Sequence, residues 1–170
     1  TGVQTCALPI SWLDTSGMDF KEEFVGETFG RINKEEAGLL LKELEAYIQR
    51  IGGNRILEER IDFGLISPYK AQVQYLRNKI KADASLKPYR SLFTVNTVDG
   101  FQGQERDVIF ISLVRANEEG QIGFLNDLRR MNVAITRARM KLVILGEAET
   151  LKHHGFYRKL LEFIQNIGNQ

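Results

Sequence analysis

Cysteine and long apolar runs are scarce in this sequence. Cys6 is the only cysteine among 170 residues, so no intrachain disulfide can form and nothing indicates an oxidising compartment. No apolar run approaches the roughly 20 residues that a membrane span requires. Residues 1–10, TGVQTCALPI, lack the basic start and long apolar stretch of a signal peptide. We expect a cytoplasmic protein in which residues 1–9 are a foreign or disordered leader and residues 10–170 form one domain.

The common motifs of nucleotide and metal chemistry are also missing. The sequence contains no G-x-x-x-x-G-K-[ST] phosphate loop and no carboxylate pair after a strand of the kind that holds Mg²⁺. His153 and His154 are adjacent but have no Cys, Asp or Glu cluster at metal-ligand spacing. We expect no metal ligand here, and a nucleotide would need its main phosphate cradle from elsewhere.

Charge is balanced overall but unevenly distributed. The net charge is +1, and a hydrophobic fraction of 43% is enough to fill one core. Residues 14–60 carry 7 basic and 11 acidic residues, whereas residues 61–170 carry 16 basic and 11 acidic residues. The basic excess in the second part indicates where a negatively charged partner would bind.

Short apolar runs alternate with helical patterns along the chain. Asn33 is a good N-cap, and Glu36 can reach back to the cap's N–H in a near relative of the capping box. Residues 15–32 are predicted to be a polar loop. The predicted strands are residues 10–14, 63–66, 92–95, 107–114 and 142–145, and helical stripes cover residues 37–51, 69–80, 129–137 and 156–167. This alternation predicts an α/β domain with a mostly parallel central sheet.

Three polar segments directly follow predicted strands: residues 67–69, 96–99 and 115–117. Because parallel sheets bind ligands beyond the carboxyl ends of their strands, we expect these segments to line one edge and form the first candidate binding surface. For Pro68 and Tyr69 alone, a turn followed by a core tyrosine is the simpler interpretation.

The segment TVDGFQGQERD, residues 97–107, joins two predicted strands. Gly100 and Gly103 permit backbone conformations barred to other residues and close approach of a ligand. The Thr97 hydroxyl and free loop N–H groups suit phosphate oxygens, and Glu105 suits a sugar hydroxyl or a cation. An ordinary connecting loop with solvated charges explains the same spacing equally well.

A cluster of cations follows, with five in thirteen residues and no acid among them. A guanidinium matches phosphate geometry and stays charged at any working pH. Taken alone, the pattern favours a basic helix face or surface salt bridges. The cluster consists of Arg129, Arg130, Arg137, Arg139 and Lys141.

The order of these segments resembles motifs IV, V and VI of superfamily 1 helicases, most closely the Upf1-like branch that includes Dna2- and Senataxin-type enzymes. The resemblance covers roughly residues 20–150. It is carried by LISPYKAQVQYLR (65–77), VNTVDGFQGQERDVIFISLVRAN (95–117), GFLNDLRRMNVAITRAR (123–139) and KLVILG (141–146). It implies a RecA-like three-layer fold, like that of P-loop NTPases but without the P-loop, and specifically the second of two motor domains.

The resemblance also implies roles for individual residues. Arg137 matches the arginine finger that reaches the γ-phosphate of ATP across the cleft between two motor domains, a catalytic role. Gly103 and Glu105 match positions that line the same nucleotide. Arg139 and Arg115 are expected to have structural or coupling roles. The positions that match the grip on a single-strand backbone are Pro68, Tyr69, Thr97 and Val98.

Two departures from the family pattern define what this chain lacks. The first-domain motifs are absent, and so is the glutamine-tyrosine-arginine segment that supplies a second γ-phosphate arginine. ATP and Mg²⁺ are therefore expected to bind mainly to the missing domain, and this chain alone should not hydrolyse ATP efficiently. The expected partners are single-stranded DNA or RNA and the N-terminal RecA-like domain of the same parent.

Two alternatives stay open at this stage. The chain could be a stand-alone, non-catalytic RecA-like module that binds nucleic acid or protein, or part of a parent in which a fused nuclease dominates. No aromatic platform for bases is evident in the sequence.

Overall fold

The computed structural model describes residues 9–26 and 30–168, so residues 1–8 of the predicted leader lie outside the described residues. Three short 3₁₀ helices, Ala84–Leu92, Asp99–Phe101 and Gly123–Asn126, connect the longer elements. In chain order the elements are β1 (Ile10–Asp14), β2 (Glu23–Val25), β3 (Gly30–Ile32), α1 (Lys34–Ile51), α2 (Gly53–Glu59), β4 (Phe63–Ser67), α3 (Lys70–Ala82), β5 (Phe93–Thr97), β6 (Arg106–Ser112), α4 (Leu128–Ile135), β7 (Ala138–Gly146), α5 (Ala148–Leu151) and α6 (Gly155–Gly168).

The central sheet is parallel throughout, in the order β1-β7-β6-β4-β5. Its middle strand β6 is apolar on both faces, as expected for a strand covered on both sides. Val108 and Phe110 belong to one hydrophobic cluster, whereas Ile109 and Ile111 belong to the other. The alternation of side chains along the strand thus builds two cores from one continuous apolar run.

Helices cover both faces of the sheet. Buried residues of α1, α2 and α3 fill the first core, and those of α4 and α6 fill the second. The predicted three-layer α/β fold is therefore confirmed. Because β4, β5 and β6 are parallel neighbours, their carboxyl ends meet at one edge, and residues 67–69, 96–99 and 115–117 follow those ends as predicted.

Two local predictions were wrong. The segment 15–32 is not wholly loop, because β2 and β3 pair as an antiparallel hairpin with Glu23 opposite Ile32. The helix predicted over 129–137 ends at Ile135, where the Thr136 hydroxyl donates to the carbonyls of Asn132 and Val133. Arg137 is consequently outside the helix.

The N-terminus of α1 is capped by Asn33, whose side chain accepts from the Glu36 N–H. The expected reciprocal bond does not form. The Asn33 N–H instead donates to the Gln72 side-chain oxygen at 3.0 Å. The Glu36 side chain turns into the core, where it accepts from Ser112 Oγ at 2.6 Å and from the Val114 N–H at 2.8 Å. Buried donors at and just beyond the end of β6 therefore bind the Glu36 carboxylate in place of the cap N–H.

Within the described residues, no helix is long and apolar enough to cross a membrane.

Candidate nucleotide and nucleic-acid site

Arg137 lies between α4 and β7, at the amino edge of the sheet. Its guanidinium donates to three neutral oxygens: the Val133 carbonyl at 3.1 Å, the Thr136 hydroxyl at 3.1 Å and the Gln104 carbonyl at 3.4 Å. None of the carboxylates in the described ranges forms an ion pair with it. Arg137 is half-buried, so it holds an uncompensated positive charge near the surface.

Arg139, two residues later, is neutralised. Its Nε lies 3.1 Å from Asp107 Oδ1 and its Nη2 lies 3.2 Å from Asp62 Oδ1. The hydrogen bond to Asp107 raises the pKa of the Arg139 guanidinium. These carboxylates stand at the starts of β6 and β4, so Arg139 clamps the amino ends of three strands, consistent with a structural role.

The segment 103–105 lies beside Arg137. Besides the bond from Arg137 to the Gln104 carbonyl, the Arg106 N–H donates to the Arg137 carbonyl at 3.0 Å. Gly103 has φ +77°, and a Cβ there would meet nothing within 4 Å, so its glycine serves backbone conformation rather than close packing. Glu105 is exposed. The structure thus brings the three predicted nucleotide-side residues together.

The connection from β5 to β6, residues 98–105, crosses β4 on its way between the two edges of the sheet. Phe101 is fully buried in this crossing and lies directly over Gly64 of β4. A Cβ at Gly64 would come within 2.8 Å of the Phe101 ring and 2.6 Å of Ile109 Cδ1. The crossing segment is therefore seated on the sheet by a close approach that only glycine allows.

The four predicted nucleic-acid residues lie at the opposite, carboxyl edge. Pro68 and Thr97 are half-buried, and the Thr97 hydroxyl accepts from the Gly100 N–H at 3.4 Å. Tyr69 and Val98 are buried, at 2% and 3% exposure. The edge can therefore offer the Pro68 ring, the Thr97 hydroxyl and backbone groups to a ligand, while the Tyr69 and Val98 side chains support it from beneath.

A buried ionic cluster organises the carboxyl edge. One oxygen of Glu22 lies 2.9 Å from both Arg31 Nε and Arg115 Nε. The other accepts from the Ala116 N–H at 3.1 Å and from the Asn117 amide at 2.6 Å. This glutamate ties the hairpin to the loop after β6. Sequence reasoning missed it, because 94 residues separate Glu22 from Ala116 and no local pattern links them.

Tyr69 completes this cluster. Its hydroxyl accepts from Arg115 Nη1 at 3.3 Å and donates to the Ile122 carbonyl at 3.4 Å. Burial raises the pKa of the Tyr69 phenol, so the hydroxyl stays protonated and available as a donor. Arg115 is thus held between Glu22 and Tyr69.

A second buried network lies just behind the edge. Burial raises the pKa of Glu36 to about 7, against the hydrogen bonds from Ser112 and the Val114 N–H that favour its charged form. Val114 itself has φ +72°, an unfavourable conformation for a β-branched residue. The network therefore holds both a titratable carboxyl group and a strained backbone.

Among residues 9–26 and 30–168 no group of three or more His, Cys, Asp or Glu side chains is placed to hold a metal ion.

Comparison with known proteins agrees with this architecture. A family model described as an AAA domain matches residues 2–149. The DNA polymerase alpha-associated DNA helicase A of Saccharomyces cerevisiae is 39% identical over 150 residues, covering 87% of this chain and 20% of that protein. Helicase sen1 of Schizosaccharomyces pombe is 37% identical over 141 residues, covering 83% of this chain and 8% of that protein. The regulator of nonsense transcripts 1 homolog of Drosophila melanogaster is 36% identical over 160 residues, covering 93% and 13%.

The chain belongs to the AAA domain family, as an Upf1-like helicase domain of superfamily 1. It spans a fifth or less of the length of these three relatives, at 20%, 8% and 13%.

Proposed function

We propose that this chain is the C-terminal motor domain of an ATP-dependent helicase or single-strand translocase. In this proposal a first RecA-like domain of the parent holds ATP and Mg²⁺, and this domain closes on the nucleotide. Mg²⁺ would neutralise charge on the β- and γ-phosphates. Arg137 would stabilise the charge that develops on the transferring phosphoryl group, while Gly103 and Glu105 line the same nucleotide.

The observation that carries the proposal is that Arg137 forms no ion pair with any carboxylate of the described residues. The Arg137 guanidinium donates to neutral oxygens and can still form an ion pair with a phosphate. The Arg139 guanidinium already forms ion pairs with Asp62 and Asp107. Replacing neutral acceptors by a phosphate is favourable, because the guanidinium then pairs with a full negative charge and can donate to two phosphate oxygens at once. The exposed position of Glu105 and the open backbone at Gly103 are compatible with a nucleotide beside Arg137.

Single-stranded DNA or RNA would bind at the carboxyl edge. The Thr97 hydroxyl, the Pro68 ring and nearby backbone groups would grip the phosphate backbone without reading sequence. Tyr69 and Val98 would act through the backbone that their buried side chains position.

The crossing segment 98–105 would couple the two events. It begins beside the proposed strand grip and ends beside Arg137, and Phe101 seats its middle on Gly64. A shift of residues 103–105 on nucleotide binding would therefore be transmitted to Thr97 and Val98. Cleft closure around a ligand is a known way to produce such a motion.

The test is single-strand-stimulated ATP hydrolysis by the full-length parent, comparing the wild type with Arg137→Ala. We expect kcat to fall roughly 10²-fold or more, because arginine fingers are worth about 10³–10⁵ in other NTPases, with ATP binding largely kept. Arg158→Ala, which removes an exposed cation of α6, is the matched control and should leave kcat within about threefold.

An unchanged kcat in Arg137→Ala would contradict the arginine-finger role and favour the alternative that the chain is a non-catalytic binding module.

A further inference from the structure

The carboxyl edge contains a cavity that the proposed backbone grip does not use. Its volume is about 330 Å³, a size typical of small-ligand pockets. It lies between the hairpin and the loop after β6. Its lining residues are Arg31, Tyr69, Arg115, Gln121, Gly123 and Phe124.

Buried polar groups form the inner wall of this cavity. The side chain of Arg115 is 6% exposed, and its Nη1 reaches the Tyr69 hydroxyl at 3.3 Å. Gly123 makes room for both, since a Cβ there would collide with the Arg115 guanidinium and lie 3.1 Å from the Tyr69 hydroxyl. The φ of +53° at Gly123 is a second reason for glycine at this position. The wall is therefore fixed before any ligand arrives.

An aromatic ring stands at the mouth of the cavity. Phe124 is 47% exposed, although large hydrophobic side chains gain free energy by burial. The buried Tyr69 ring backs it, with centroids 5.3 Å apart and planes tilted by 30°. This contact holds Phe124 in place without covering it, which leaves a supported aromatic surface for a flat ligand.

The hairpin supplies a second exposed ring beside the same cavity. Phe24 of β2 is 76% exposed, and the Arg31 guanidinium lies 3.5 Å from its ring centroid. Arg31 therefore connects the Phe24 ring to the cavity wall. Because Arg31 and Arg115 share the single carboxylate of Glu22, the cluster keeps a net positive charge that favours an anionic chain.

The position of the cavity beside the proposed strand grip indicates which flat ligand it would bind. The Phe124 ring rests on Tyr69, the residue that follows Pro68 in the proposed strand grip. A strand held there would carry its bases past an aromatic surface in a positive field, the combination that single-strand-binding sites use.

We propose that this cavity receives one unstacked base of the bound single strand, which stacks on Phe124. The inference rests on the proposed function, because it requires a single strand along the carboxyl edge. Stacking recognises any base, so the site adds affinity and fixes the position of one nucleotide without selecting sequence.

The test is an affinity measurement on the full-length parent with oligothymidylate and oligouridylate, by fluorescence anisotropy. Phe124→Ala should weaken binding roughly tenfold, and Phe124→Trp should restore it, because an alanine substitution removes a stacked base contact and tryptophan replaces it. The salt dependence of binding should be unchanged, since no phosphate contact is lost. Phe163→Ala, which removes a similarly exposed ring outside the cavity, should have no effect on affinity.

A scan of abasic nucleotides makes the test specific. In the wild type, one abasic position should weaken binding far more than the others. In Phe124→Ala that position should lose its special effect, because the same contact cannot be removed twice.

Unchanged affinity in Phe124→Ala, or an abasic effect that persists in it, would overturn the base site while leaving the motor function intact. Failure of the wild type to bind either strand would overturn both. A thermal melt of each variant identifies a loss of binding that comes from misfolding, and rescue by Phe124→Trp then decides the question.

Discussion

Arg137 at the amino edge of the sheet and Arg115 at its carboxyl edge are held in opposite ways. At the amino edge, Arg137 is half-buried, rests on carbonyl and hydroxyl oxygens and has no carboxylate partner among the described residues. At the carboxyl edge, the Arg115 side chain is 6% exposed and is held by Glu22 and Tyr69. The first arrangement leaves a cation that a new anion can recruit. The second fixes a cation as part of the framework.

This difference separates Arg137, which is free to bind a ligand, from Arg115, Glu22 and Tyr69, which hold the carboxyl edge in place. The contacts of Arg137 can be exchanged for contacts to a new anion, because each hydrogen bond from a charged group to a neutral oxygen contributes only about 1.5–3 kcal/mol net. The Glu22 cluster is costly to disturb, because buried charges that lose their partner cannot regain water. The carboxyl edge should therefore keep its geometry while residues beside Arg137 respond to a ligand.

The largest stability effect expected at the carboxyl edge comes from Glu22→Ala. It would leave the buried Arg115 and the half-buried Arg31 without a counter-charge, and we expect the free energy of unfolding to fall by about 3–5 kcal/mol. Urea unfolding of this chain followed by circular dichroism measures the loss.

Glu23→Ala is the matched control for that substitution. Its ion pair with Lys34 is exposed, so the loss should be below about 1 kcal/mol. Equal losses in the two variants would contradict the conclusion that the largely buried Glu22 cluster is a fixed part of the framework.

A pH effect of up to about 3 kcal/mol is expected from Glu36. Burial raises its folded-state pKa from 4.5 to about 7, so the folded protein retains a proton that the unfolded chain has released. The contribution of Glu36 to the free energy of unfolding should therefore be largest below about pH 4.5 and be lost as the pH rises to about 7.

Glu36→Gln should remove this part of the fall, because the amide cannot ionise. Glu35→Gln, at the exposed neighbouring position, should retain it. The measurement is a series of urea unfolding curves between those pH values, and a Glu36→Gln series parallel to the wild type would show that Glu36 does not titrate there.

Smaller losses of stability are expected from substitutions at Gly64, which lies beneath the crossing segment in β4, and at Gly103 within the segment. Gly64→Ala would force a Cβ against the Phe101 ring, and overpacking of this kind costs about 2 kcal/mol. Gly103→Ala meets no neighbour but imposes a positive φ on an L-residue, at about 1 kcal/mol. Thermal melts of both variants rank the two costs, and a larger loss in Gly103→Ala would contradict the packing of Phe101 on Gly64.

The sequence predicted the parts of the fold that depend on local signals. The apolar run in β6, the Asn33 cap and the polar segments after β4, β5 and β6 each produced the expected structure. The Glu36 side chain was misplaced because its partners, Ser112 and the Val114 N–H, come from a distant strand end.

The candidate site was less accessible to such reasoning. The roles of Arg137 and of the strand-gripping residues came from the family resemblance, and they stay predictions. The hairpin was missed because its two strands have only three residues each and the first is wholly exposed, which leaves no apolar alternation to detect. The Glu22 cluster was missed because it depends on contacts between segments far apart in sequence. Phe24 and Phe124 look like ordinary apolar residues until folding leaves them exposed.

The central claim is that Arg137, unlike Arg139, acts only on the transition state of ATP hydrolysis. The most direct test measures the affinity of the full-length parent for ADP with aluminium fluoride, an analogue of that state, and for ADP alone. We predict that Arg137→Ala weakens binding of the analogue roughly 10²-fold or more and leaves ADP affinity unchanged, while Arg139→Ala changes neither. Equal losses in the two variants, or no loss in Arg137→Ala, would contradict the account.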